Sequence, residues 1–211
     1  MSDVSSASSI HHPANQSPGD DSRFVGYPEE LVNDIVSPTG VALRLRPIRR
    51  DDAERLVNFH SRLSPMSIYR RYFSLHPSLA EEEVRHLTRV DYVNRLALVV
   101  EVGGDIVAIG RYERLPSTTT GEVAFVVRDD FQHLGLGHLL LDKLAQAAWV
   151  RGITHFSAVT FVDNGAMIAV FQHSGFPVMT SRRDEELNVS FPIDPSCRSA
   201  VAPHGNQPRV T

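Results

Sequence analysis

Residues 128–141 read Arg-Asp-Asp-Phe-Gln-His-Leu-Gly-Leu-Gly-His-Leu-Leu-Leu, and the reading of the whole chain turns on them. Gln132, Gly135 and Gly137 form a Gln-x-x-Gly-x-Gly loop. An apolar, strand-like run at residues 123–127 precedes the loop, and a helix-like run at residues 139–150 follows it. Two glycines at such a junction let the backbone approach a ligand with no Cβ in the way. The first N–H groups of the helix lack intrahelical partners, and the helix dipole adds partial positive charge there. Together these features suit a phosphate or pyrophosphate.

The spacing does not fit two better-known phosphate loops. A P-loop needs Lys-Ser/Thr after the second glycine, and His138-Leu139 stand there instead. A dinucleotide fingerprint needs a third glycine, and Leu140 occupies its place. A tight strand–turn–helix without a ligand would show the same two glycines, so the surrounding sequence has to decide.

Working outward, residues 41–47 alternate apolar Val41, Leu43 and Leu45 with basic Arg44 and Arg46, which predicts a strand with one buried face. Asp51 or Asp52 can cap a helix running to about residue 63. Pro65 breaks the chain before a short aromatic helix at residues 67–73. Ser78 before Glu81-Glu82-Glu83 gives a capping-box pattern for a helix to about residue 88. Strands are expected at residues 96–102 and 106–113, joined by a glycine hairpin, and at 122–127. Gly152 ends the helix after the loop, with Leu140, Leu144, Ala147 and Ala148 as its buried stripe. Residues 156–162 form the next strand, Asn164 caps a short helix, and residues 176–179 and 187–191 close the sheet as a hairpin. The class is α/β: a mixed, mostly antiparallel sheet of six to seven strands with helices on both faces.

At 211 residues the chain fits one domain with tails, expected at residues 1–22 and 195–211 around a packed unit at 23–194. Net charge is −4 with no long basic run, which argues against nucleic acid as a partner. No apolar run reaches the roughly 20 residues that span a bilayer, so no membrane association is expected. The first 20 residues lack the pattern of a secretory signal, and a single cysteine, Cys197, fits a reducing cytoplasm. No Cys/His/Asp cluster has metal spacing, so no metal is expected.

The loop and its flanks resemble the acyl-CoA pyrophosphate loop of the GNAT N-acetyltransferases. The resemblance extends over residues 43–191. Arg44 to Ile48 with Asp51 to Arg55 are similar to that family's first strand and helix. Val159 to Asn164, followed by residues 167–176, are similar to its fifth strand and fourth helix. Ser67 to Phe73, Val90-Asp91 and Glu122 to Phe125 look like the catalytic domain of bacterial Pat-type protein-lysine acetyltransferases. The resemblance implies the GNAT fold at residues 23–194, acetyl-CoA as co-substrate, and transfer of its acetyl group to an amine. The implied acceptor is a lysine on a protein substrate. A small-molecule amine is the alternative, and a non-catalytic acyl-CoA-binding regulatory module is a reading from another class.

The same resemblance assigns roles. Backbone amides of Leu134, Gly135, Leu136, Gly137 and His138 face the pyrophosphate, and Val126 and Val127 pair with the pantetheine arm. Gln132 either binds a phosphate or braces the loop. His133 and His138 are phosphate donors, alternative bases, or surface histidines beside a helix start. Glu122 is the base that deprotonates the amine; as a bare sequence feature it reads better as a solvated strand-end carboxylate. Asn164 sits near the coenzyme or caps its helix. The family's frequent thiolate-protonating tyrosine has no counterpart between Ile168 and Phe171. Tyr69 and Tyr72 either line the acceptor site or pack their helix, and Arg70-Arg71 reads as a solvated face.

Overall fold

The computed structural model describes residues 26–36 and 40–198. The expected N-terminal tail and most of the C-terminal one lie outside those residues. Eight strands form one sheet in the order β1-β2-β3-β4-β5-β6-β8-β7. In chain order the elements are β1 Asn33–Val36, β2 Ala42–Pro47, α1 Ala53–Ser61, α2 Pro65–Tyr72, α3 Glu81–Thr88, β3 Arg95–Val102, β4 Asp105–Arg114 and β5 Thr120–Val127. There follow α4 Leu136–Val150, β6 His155–Phe161, α5 Gly165–Gln172, β7 Met179–Arg183 and β8 Glu186–Pro192. Every neighbouring pair is antiparallel except β5–β6. The eighth strand is β1, a four-residue edge strand whose Asn-Asp-Ile-Val sequence is too short and too polar to signal itself.

Each face of the sheet carries its own core. On one, Leu140, Leu144, Ala147 and Ala148 of α4 pack on Tyr112, Phe156 and Phe191. On the other, Leu56 and Phe59 of α1 and Val84 of α3 pack on Val99, Ile106 and Ile109. Helices therefore cover both faces, but among the described residues no element covers β7, whose residues are all exposed.

Several local expectations need correction. Arg46 is buried at 3% exposure rather than solvated. Its guanidinium holds Asp52 through two 2.7 Å bonds and also bonds Glu101, which Arg55 approaches at 2.8 Å. Asp52 stands at the N-cap position of α1, but its side chain makes no capping bond there; it accepts from Arg46 and from Arg49 N. Ser78 does not cap α3, whose N-cap is Ala80 with no side-chain bond. Pro65 does not break the chain but opens α2, where its fixed φ suits the first turn, and Ser64 Oγ caps by accepting from Ser67 N at 3.2 Å. The last hairpin starts at Met179, because Phe176 is drawn into the core, stacked 5.7 Å from Phe191. The packed unit also runs past residue 195. Residues 195–197 form a short 3-10 turn, and Arg198 donates to Ser174 O at 3.1 Å and pairs with Asp142.

Candidate active site

The site arises where two neighbouring strands part. β5 and β6 pair over three residues only, ending at Glu122↔Ser157. Beyond that point β5 keeps β4 on one side and has no strand on the other. Backbone groups along such an edge need partners, and an extended ligand can supply them as an added strand. The opening is a cleft of about 510 Å³, within the ~300–1,000 Å³ usual for ligand sites. Residues 122–127 of β5, Ala158, Val159 and Thr160 of β6, the loop and α5 line it. Alternation along β5 turns Val123 and Phe125 into the α4 core and leaves Glu122 exposed.

The loop closes one end. A 3-10 turn at Asp129–Phe131 leads to His133 at φ 64° and Gly135 at φ 78°, and α4 begins at Leu136. The first intrahelical bond is Leu139 N to Gly135 O at 3.0 Å, so the amides of Leu136, Gly137 and His138 are left over. All three residues line the cleft, as do Val126, Val127, Gln132, His133 and Gly135. Leu134 does not; its side chain packs against the core.

The two glycines differ. Gly135 needs its left-handed backbone, and a Cβ there would meet nothing within 4 Å. Gly137 has no positive φ, and a Cβ there would lie 2.9 Å from Val170 Cγ2. It therefore lets α5 approach α4 closely, which the sequence reading, intent on the ligand, had not anticipated.

Gln132 braces the loop: its Nε2 donates to Val127 O at 3.2 Å and to Ser67 Oγ at 3.4 Å. Asp129 reinforces that brace by accepting from Ser64 N, Ser64 Oγ and Ser67 Oγ at 2.8–2.9 Å. Burial alone would raise the pKa of Asp129, but these serine bonds outweigh it and lower it. Ser64, Ser67 and Asp129 were missed because they lie some 65 residues apart in sequence. Asn164 caps α5, its Oδ1 accepting from Met167 N at 3.3 Å and its Nδ2 donating to Thr160 Oγ1 at 3.1 Å, and it also lines the cleft. His138 is half-buried with Nε2 unpartnered; burial, helped by His173, lowers its pKa and keeps the ring neutral.

At the far end α2 lies across the opening. Tyr69 stacks on Phe161 of β6 at 5.1 Å, and Tyr72 stacks on His76 at 4.3 Å. Both tyrosines pack their helix rather than line the cleft. Arg70 and Arg71 do line it, contrary to the solvated face expected of them. A second, open groove of about 410 Å³ crosses β6, β8 and β7, lined by Ser157, Val159, Met179, Thr180, Asn188 and Ser190 among others. Glu122 lines both the cleft and this groove. Among the described residues, no group of three or more His, Cys, Asp or Glu could hold a metal.

Comparison with known proteins agrees with this geometry. Residues 63–176 match the model described as the Acetyltransferase (GNAT) family. Acetyltransferase Pat of Mycolicibacterium smegmatis is 32% identical over 168 residues, a match covering 75% of this chain and 50% of that protein. The chain thus spans about half the length of that relative. Acetyltransferase PA5475 of Pseudomonas aeruginosa is 31% identical over 127 residues, covering 58% of this chain and 68% of that one. The GNAT domain of S. lividans PAT superposes with a TM-score of 0.75 at 35% identity, over 79% of this chain and 99% of the domain.

Proposed function

This chain belongs to the GNAT family, and from that premise we propose that it is an acetyl-CoA-dependent N-acetyltransferase whose acceptor is the side-chain amine of a lysine on a protein. The observation that carries this reading is the position of Glu122, shared by a cleft with free helix-terminal amides at one end and by an open groove on an uncovered part of the sheet. The groove is open to solvent and runs along the exposed strand β7, which suits a segment of polypeptide. A small amine is ordinarily held in an enclosed pocket that strips most of its surface from water.

Acetyl-CoA supplies a thioester carbonyl. The amides of Leu136, Gly137 and His138, with the dipole of the 15-residue α4, hold its pyrophosphate. The free edge of β5 at Val126 and Val127 pairs with its extended arm, Asn164 fixes the far wall, and Gln132 holds the loop in shape. Glu122 takes a proton from the lysine ammonium, directly or through one water. The freed nitrogen forms the new N–C bond and sheds its second proton to water, while the C–S bond breaks and the thiolate leaves to be protonated from solvent. The two remaining loop histidines fall into supporting places: His133 at the exposed lip, His138 as a neutral ring behind the helix start. We place the reaction in the cytoplasm, where the free, exposed Cys197 stays reduced; no helix among the described residues is long and apolar enough to cross a membrane.

The test is mass spectrometry of candidate proteins incubated with the chain and acetyl-CoA, in parallel with thiol release from a panel of amino acids and polyamines. Acetyl-lysine on proteins with slow release from the panel is expected. The reverse pattern would make the acceptor a small amine.

A further inference from the structure

Several other arginines that are buried or half-buried are engaged. Arg46 and Arg128 hold carboxylates, and Arg95 and Arg151 donate to backbone carbonyls. Two arginines on the last turn of α2 are not. Arg70 and Arg71 form no hydrogen bond or ion pair with any described residue, and Arg70 Nε is buried without a partner. The Arg71 guanidinium lies 5.2 Å from the ring centroid of its neighbour Tyr72. Leaving charged donors desolvated and unpaired costs free energy, so the arrangement implies a partner that arrives from outside.

The surroundings say what sort of partner. The β4–β5 register sets Glu113 opposite Glu122 and Arg111 opposite Ala124, so all four share the face that α2 covers. Arg111 also makes no hydrogen bond or ion pair. Glu113 is already approached by Arg95 at 3.8 Å and His86 at 3.7 Å, and Glu83 is held by His76 at 2.8 Å. That leaves three uncommitted guanidiniums, Arg70, Arg71 and Arg111, against one uncommitted carboxylate, Glu122. Burial, with repulsion from Arg111, pulls the pKa of Arg71 down to about 10, low for an arginine yet fully charged at neutral pH. An excess of positive charge beside the base repels a bare ammonium. An acceptor that brings its own anion removes the repulsion and satisfies the unused donors. A guanidinium fork matches a carboxylate bidentately.

Resting on the protein-lysine reading, we propose that Arg71, backed by Arg111, is the specificity residue of this enzyme: it binds an acidic side chain adjacent to the acceptor lysine and so selects lysines with Asp or Glu nearby. The carboxylate docks on Arg71 in the cleft, and the lysine beside it is delivered to Glu122.

The test uses the full chain, acetyl-CoA and a set of peptides with one lysine. Each of the three positions on either side of the lysine is in turn Glu, Gln or Arg. Wild type is expected to favour Glu over Gln at one or two of these positions by roughly tenfold in kcat/KM, the size of one charge-assisted pair. In Arg71→Gln that ratio should collapse toward one, and in Arg71→Glu it should invert, with Arg-flanked peptides preferred. Because the readout is a ratio within each variant, a general loss of folded enzyme does not imitate it. Acetylation of all peptides without charge preference overturns the Arg71 proposal and leaves the lysine reading standing. A uniform loss in Arg71→Gln with an unchanged ratio and a shifted pH profile of kcat also overturns it, and makes Arg71 a residue that tunes Glu122. Weakened acetyl-CoA binding by calorimetry with an unchanged ratio overturns it in favour of a coenzyme phosphate. Failure to acetylate any peptide overturns both readings.

Discussion

Glu122 carries the sharpest expectation about a single residue. An ammonium has no lone pair, and a lysine of pKa about 10.4 is neutral in only about one molecule in 2,500 at pH 7. A positioned base contributes roughly 10²–10⁴-fold. Glu122→Gln preserves shape, so kcat should fall at least roughly 10²-fold with little change in acetyl-CoA affinity, and higher pH should partly restore it. Near-normal kcat at pH 7 would assign the proton to another group. The two loop glycines should separate in the same way. Alanine at Gly135, whose backbone is left-handed at φ 78°, should cost about 1–2 kcal/mol of strain without a clash. Valine at Gly137 meets Val170 and should lower Tm as well as coenzyme affinity, because α4 and α5 must part to admit it. If Gly137→Val kept a wild-type Tm, the close approach of the two helices would not matter to stability.

The loop acts as an element together with the first turn of α4 and the start of α2. Acetyl-CoA or CoA at 100 times its dissociation constant should stabilise the fold by about 2.7 kcal/mol, read as a thermal shift. No shift at millimolar ligand would mean that the helix-terminal amides do not bind it. Asp129→Ala removes three acceptor contacts to Ser64 and Ser67, and so frees the α2 start from the loop. Acetyl-CoA KM should rise in that variant with kcat less affected, since Glu122 sits at the other end of β5; a fall in kcat alone would contradict the bracing role. The element pattern was largely legible. Periodicity placed α4, the β3–β4 hairpin and β6, and glycines marked their ends. Caps were less so: Ser78 and Asp52 look like caps, yet one makes no such bond and the other is committed to Arg46. A short polar side chain signals a cap only when no stronger partner competes for it.

The sheet as a whole depends on a buried clasp, Arg46 with Asp52 and Glu101, which joins β2, the approach to α1, and β3. Burial alone would raise the pKa of Asp52. The Arg46 bonds, the Arg49 amide and Arg55 outweigh it and hold the carboxyl below its ordinary value near 3.8. A depressed folded pKa gives stability that is complete above 3.8 and is lost as pH falls below it. Asp52→Asn should therefore cost on the order of 3 kcal/mol at pH 7 in urea unfolding, with the gap to wild type narrowing toward pH 2. A gap that stays constant with pH would assign the cost to packing rather than charge. What the sequence by itself determined is what depends on neighbours along the chain: the glycine-marked strand–loop–helix junction at residues 132–138, the alternation that exposes Glu122, and the class of fold. Only the tertiary structure decided where β5 and β6 part, that α2 brings Arg70 and Arg71 into the cleft, that Arg46 is buried, and that Gly137 serves helix packing. Those outcomes rest on contacts between residues far apart in sequence, and burial and charge pairing are properties of the assembled neighbourhood that no local pattern encodes.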